Sequence, residues 1–259
     1  MEVCRMRWLR KKYLLVTVGA LLALAMACLI SGCQGVSARE VLDNSGKTMA
    51  QITTAEMQME SSGTINGQSI ETSGDIEEVA SGSEGTKLKM TMQVAGQTME
   101  VYMVGGTNYV ATMGRWFRAS SPVSDVGPIG IGSLKDIESE MSNANNPKII
   151  TEDSQSFTIA FSLRPDYLQN KLNEYKARNS NLASTSQVTS NEITVKIDKS
   201  TKRTTEETIN MTIHTSQFGD GKSESHVKMI GYNIPIKIEV PPEALNAPEL
   251  PSGLTPKTL

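Results

Sequence analysis

The chain has 259 residues and a formal net charge of −3, with 38% hydrophobic and 20% charged residues, which excludes a fully disordered or collagen-like chain. Three cysteines and two histidines argue against a Cys/His zinc site, an iron–sulfur cluster or a disulfide-stapled fold.

The first twelve residues carry Arg5, Arg7, Arg10, Lys11 and Lys12 against Glu2. An apolar run follows from Tyr13 to Ile30, broken only by Thr17. A basic stretch, an apolar stretch and small residues before a cut site make a secretory signal. A run of this length would also nearly span a bilayer as a plain anchor. Cys33 separates the two readings. Ile30-Ser31-Gly32-Cys33 resembles the bacterial lipobox, whose cysteine is diacylated before cleavage. Residues 1–32 are then the signal peptide, and 33–37 are the lipidated cysteine and a short tether. Cleavage leaves 227 residues with a net charge of −7 and one cysteine, so no disulfide can form within the mature chain. An exported acidic domain is no general nucleic-acid binder. The expected place is outside the cytoplasm, held by palmitate-type acyl and diacylglycerol groups. That means the outer leaflet in a one-membrane host, or the outer membrane in a two-membrane host.

The four residues between Cys33 and Ala38 reach about 14 Å when extended, which keeps the domain at the membrane surface. Ala38, Val41, Leu42, Ser45, Met49 and Ile52 recur at helical spacing, with Gly46 weakening the pattern. Met57 and Met59 then alternate with polar residues, as do Leu88, Met90, Met92 and Val94. Ala95-Gly96-Gln97 turns the chain, and Met99, Val101 and Met103 continue the alternation, predicting a hairpin with one apolar face. Further turns lead through Asn108–Met113 into Trp116-Phe117-Arg118. A Gly/Pro-rich stretch covers 121–132, and Ser133-Leu134-Lys135-Asp136 is a variant capping box opening a helix with Leu134, Ile137 and Met141 on one face. Asn143–Pro147 ends that helix. Phe157, Ile159, Phe161 and Leu163 form a strand. Pro165, Leu168, Leu172 and Tyr175 form a third helix. After a polar loop over 179–191, strands are predicted at Ile193/Val195/Ile197, Ile209/Met211/Ile213 and from Val227 to Val240, with Pro235 at an edge or bulge. Residues 38–245 read as one domain, and 246–259 as a Pro-rich disordered tail.

Catalytic signals are thin. There is no G-x-S-x-G, H-E-x-x-H, Walker loop or C-x-x-C. His214 and His226 read as solvated. Glu77-Glu78 and Glu206-Glu207 look like paired carboxylates, but adjacent strand residues point to opposite faces, so both pairs read as charges on wet faces. Gly127, Gly130 and Gly132 before Ser133 match no phosphate-binding spacing and read as a loop or lid. No enzyme, metal or cofactor is expected.

The methionines say more. Eleven of the 14 lie in the mature chain, against ten aromatic residues, and nine of the eleven fall in strand patterns. Methionine fills cores, and it also suits surfaces that accept variable apolar shapes. Met-x-Met spacing at Met57/Met59 and Met90/Met92 would suit Cu(I), although no third ligand converges. The candidate lining of an apolar cavity is Met57, Met59, Leu88, Met90, Met92, Met99, Val101, Met103 and Trp116.

The order of lipobox, short tether, amphipathic helix, antiparallel hairpins, inserted helices and closing strands ending in Ile234-Pro235-Ile236-Lys237-Ile238-Glu239-Val240-Pro241-Pro242-Glu243-Ala244-Leu245 resembles the LolA/LppX/LprG-like lipoproteins. The stretch Asn108-Tyr109-Val110 through Trp116-Phe117-Arg118 looks like their hairpin with a tryptophan near its tip. The resemblance implies an α+β fold, a curved antiparallel half-barrel whose concave face is covered by short helices. It implies a membrane-anchored extracytoplasmic lipoprotein that binds or transfers lipid or another apolar ligand. The alternative is an envelope lipoprotein of the same fold with a filled core, acting through a protein partner that the residues do not identify.

Overall fold

Apolar–polar alternation makes this chain mostly strand. The computed structural model describes residues 36–65, 68–80, 85–94, 96–119, 133–178, 187–215 and 219–249. In chain order these form α1 (Ala38–Met49), β1 (Thr54–Ile65), β2 (Gln68–Val79), β3 (Lys87–Val94), β4 (Gln97–Val104), β5 (Thr107–Thr112) and β6 (Arg115–Ala119). There follow α2 (Leu134–Ser142), β7 (Ala144–Glu152), β8 (Ser156–Leu163), α3 (Pro165–Arg178), β9 (Gln187–Asp198), β10 (Thr204–Thr215), β11 (Gly219–Tyr232) and α4 (Pro242–Leu245).

The strands form one open, curved sheet of order β6-β5-β4-β3-β2-β1-β11-β10-β9-β8-β7. Two meanders, β1–β6 and β7–β11, are joined where β11 pairs antiparallel with β1. The buried residues of the strands fall mainly on one face. Successive rows run Val101–Met90–Ile76–Met57–Met229 and Met99–Met92–Gly74–Met59–Val227 across β4, β3, β2, β1 and β11. Beyond β11 the second row continues through Glu207, Val195 and Ile159. Phe161 is buried on the same face opposite Ile193. Phe161→Ala is expected to cost ~3–5 kcal/mol in urea unfolding.

Both sheet edges are blunted. At β7 the chain carries Pro147 and a left-handed Asn146 (φ 50°), and its pairing to β8 is twice irregular. At β6, Arg118 forms a parallel bridge with Glu249, its amide N donates to the Pro248 carbonyl at 2.8 Å, and its Nε donates to the Ala247 carbonyl at 2.9 Å. Of the tail expected from residue 246, residues 247–249 are ordered: Ala247 is buried and 247–249 dock along the edge. Residues 250–259 lie outside the described residues, as do 1–35 with Cys33, and the glycines of the 121–132 stretch.

The predicted closing strand is also corrected. Pairing stops at Tyr232, Asn233 turns left-handed (φ 52°), and Ile234–Val240 is unpaired. Asn233 explains the break: its Oδ1 accepts the Thr53 amide at 2.9 Å, which fixes the turn. Among the described residues no helix is long and apolar enough to cross a membrane.

Candidate functional site

The site under test is the methionine-bearing face of the sheet and what lies on it. Helix α1 buries Val41, Leu42, Ser45, Gly46 and Met49. Its Ser45 hydroxyl lies 3.3 Å from that of Thr204 at the start of β10. The Arg39 guanidinium of α1 donates to the carbonyls of Met141, at the C-terminus of α2 where the helix dipole attracts a cation, and of Ala144 at the start of β7. A Cβ at Gly46 would meet Met141 Cβ at 3.9 Å, an ordinary contact, so the crossing of the helices does not require a glycine there.

Helix α2 begins as its sequence predicts. The Ser133 hydroxyl accepts the Asp136 amide at 3.2 Å and donates to the Asp136 carboxylate at 2.7 Å. Leu134, Ile137 and Met141 are buried. The methionines of the sheet are tightly packed. Met57 is 0% exposed, and Met59, Met90 and Met92 are each 2% exposed, so no water-sized space reaches them. Leu88, Met99 and Val101 are buried too, and Met103 is half-buried against the same core.

Trp116 does not join them. Val101 pairs with Val110 and Val110 with Phe117, so Phe117 takes the methionine side and Trp116 takes the other. Its ring packs against Tyr102, also on the far face, with centroids 5.7 Å apart and planes tilted by 58°. Strand parity assigns the inward place to Phe117, the neighbour of the expected Trp116.

The larger departure is polar. Glu78 and Glu207 were expected on wet faces, and both are 1% exposed, on the methionine face. Their sequence neighbours obey the expectation: Glu77 pairs with Lys89 at 3.3 Å and Glu206 with Lys196 at 3.3 Å, on the opposite face. Glu78 Oε2 accepts the Leu134 amide at 2.9 Å, at the N-terminus of α2. Glu207 lies against Glu140 of α2, itself 7% exposed. The two glutamates of the sheet thus mark the two ends of α2. Helix α2 is tied to β2 through its first amide and to β10 through Glu140.

Burial pushes the Glu78 carboxyl up to about 7, against the pull of the Leu134 amide. Burial likewise pushes Glu207 up to about 7, while a hydrogen bond from Glu140 favours its charged form. Burial, followed by the charge of Glu207, holds Glu140 well above the usual carboxylate range. No sequence signal marked Glu78 or Glu207 as buried, but Glu140 stands three residues after Ile137 on the apolar stripe of α2.

Helix α3 leans on this arrangement. Lys171 pairs with Asp136 at 3.1 Å, and Tyr167 packs beside Glu140. Between the outer sides of α1 and α2 lies an open hollow of about 510 Å³, bordered by Asp43, Lys47, Gln51, Glu138 and Ser142. Gly46 and Ala50 also border it, and none of the methionines does. His214 is exposed and bonds Asp220 at 2.7 Å. Among the described residues no three His, Cys, Asp or Glu side chains are placed to hold a metal.

Residues 37–249 match a family of unknown function, DUF6612. The chain belongs to DUF6612. No curated protein matches the sequence. Among solved structures it is similar to LprF from Mycobacterium bovis, at 13% identity over 80% of this chain and 99% of that one, with a TM-score of 0.49. It is similar to a LolA superfamily protein from Nitrosomonas europaea, at 9% identity over 79% of this chain and 96% of that one (TM-score 0.29). A third similarity is to MucB of Pseudomonas aeruginosa in its complex with MucA, at 10% identity over 75% of this chain and 57% of that one (TM-score 0.32). The LolA superfamily is the one whose element order the sequence resembles. What this DUF6612 member does must come from its own residues.

Proposed function

We propose that this DUF6612 protein is a lipid-anchored extracytoplasmic protein whose methionine face takes up a flexible apolar chain, such as the acyl chain of a lipid, beneath α1 and α2. The observation that carries the reading is the pair of buried rows holding Met57, Met59, Met90, Met92, Met99 and Met229, with a nine-residue helix beside them whose first amide rests on Glu78 and whose Glu140 lies against Glu207. Unbranched thioether side chains repack around variable apolar shapes. A cover seated on polar groups at both ends is easier to lift than one sealed by apolar packing throughout. Because the methionines are closed to water as they stand, the chain enters only when the helices move. The reading assigns no catalytic group, metal or cofactor.

The anchor rests on Ile30-Ser31-Gly32-Cys33. Cys33→Ala is expected to leave an unprocessed precursor that takes up no labelled fatty acid; unchanged labelling and mobility would refute the anchor. The apolar-chain reading is tested by mass spectrometry of the protein purified from its own host. Lipid in stoichiometric amount supports it.

The second reading is an envelope protein with a filled core, acting through a protein partner. The near-zero exposure of Met57, Met59, Met90 and Met92 is the observation that favours it. It requires that no lipid co-purifies and no acyl probe binds.

A further inference from the structure

Three of the four oxygens of Glu140 and Glu207 receive no hydrogen from any described N–H or O–H group: Glu140 Oε2, Glu207 Oε1 and Glu207 Oε2. Both side chains are more than nine-tenths buried, and they lie within hydrogen-bonding reach of each other. Two bare carboxylates so placed would repel one another in a dry site. One proton between them turns the pair into a carboxylic acid donating to a carboxylate, a short and strong hydrogen bond. It joins α2 to β10. At the other end of α2, Glu78 of β2 holds the Leu134 amide.

The charged and titratable groups around these glutamates do not replace that proton. From α2, Asp136 adds negative charge. From α3, Lys171 lies near enough to favour the charged form of Glu140 but is paired with Asp136 at 3.1 Å, and the Tyr167 hydroxyl lies beside Ser139. From the sheet side, Tyr232 donates its hydroxyl to the Thr204 carbonyl, and Arg203 lies over the Tyr232 ring at 5.5 Å. No described cation pairs with Glu140 or Glu207.

We propose that Glu78, Glu140 and Glu207 form a proton-operated latch, which holds α2 over the methionine face while the pair beneath it keeps its proton and lets α2 lift when that proton leaves. The consequence for ligand uptake rests on the apolar-chain reading; the motion of α2 does not. Protonated carboxyls bury at low cost, so the closed form is favoured at low pH and loses that advantage as pH rises through the raised values. The direction is opening with rising pH.

The test is hydrogen exchange of the full chain between pH 5 and pH 8, corrected for the intrinsic base-catalysed rate. Amides of 134–142 are expected to open roughly tenfold more often or better at pH 8, while amides of β8 and β9, far from the latch, keep their protection. The double variant Glu140→Gln/Glu207→Gln is expected to show a clearly smaller pH response, the remainder coming from Glu78, since an amide pair bonds without a titrating proton. An equal pH response in that variant, or helix and sheet amides opening together in the wild type, would overturn the latch. The second comparison needs only the wild type, so it decides even where the variant folds poorly. No lipid enters these measurements. A chain that shows the helix response yet binds no acyl probe keeps the latch and refutes the apolar-chain reading.

Discussion

Gly74→Ala is expected to destabilise the protein by at least ~3 kcal/mol, lowering the thermal midpoint by about 6–12 °C for a chain of this size. Gly74 lies on β2 between Met59 and Met92, where every other residue of its row carries a side chain. A Cβ there would stand 2.3 Å from the Thr91 carbonyl oxygen and 2.9 Å from Met92 Cα. Both are backbone atoms of the paired strand, so relief requires β2 and β3 to separate. Such close approach is what a glycine within a strand permits. Gly231→Ala supplies the contrast. Its nearest neighbour is Ile234 Cδ1 at 2.9 Å, the far end of a side chain that can rotate away. That variant is expected to lose under ~1 kcal/mol. Equal losses in urea unfolding would show that β2 and β3 have slack at Gly74.

Stability is expected to fall as pH rises, with Glu78 alone contributing roughly 2–3 kcal/mol between pH 5 and pH 8. Its carboxyl sits near 4.5 when unfolded and is pushed up to about 7 by burial in the fold. A group raised in this way stabilises the fold fully below pH 4.5, and that contribution drains away as pH climbs through 7. Glu207, pushed up to about 7 by the same cause, acts in the same direction. Glu78→Gln keeps an acceptor for the Leu134 amide and is expected to flatten the curve by its own share. A wild-type stability that rises from pH 5 to pH 8 would mean that these carboxyls are solvated.

The strands with a regular apolar beat were legible. β3, β4, β8, β9 and β10 were each found from alternating Met, Val, Ile, Leu or Phe, and α2 from its cap and stripe. β2 was missed because its inward positions are Thr72, Gly74, Ile76 and Glu78, which show no apolar alternation. β7 was missed because Asn145-Asn146-Pro147 reads as a helix stop, although here it is an irregular edge strand. The methionine rows were legible because strand parity is a local rule. The carboxyl groups were not. Whether Glu78 or Glu77 faces inward depends on the register to β1 and β3, and its burial depends on a helix that starts 56 residues later. A charged residue on an inward strand position reads as solvated until the element above it is placed.

The central claim is that the sheet face under α1 and α2 holds an acyl chain. Titration of the protein with a fluorescent long-chain fatty acid, beside Met90→Phe, tests it most directly. Met90 is packed in the closed form, so the added ring is expected to cost ~1–3 kcal/mol of stability. The ring also takes room that an acyl chain would need. The account predicts saturable binding by the wild type and affinity weaker by about tenfold in Met90→Phe, equivalent to ~1.4 kcal/mol. No saturable binding by the wild type, or equal affinity in a folded Met90→Phe, would contradict it.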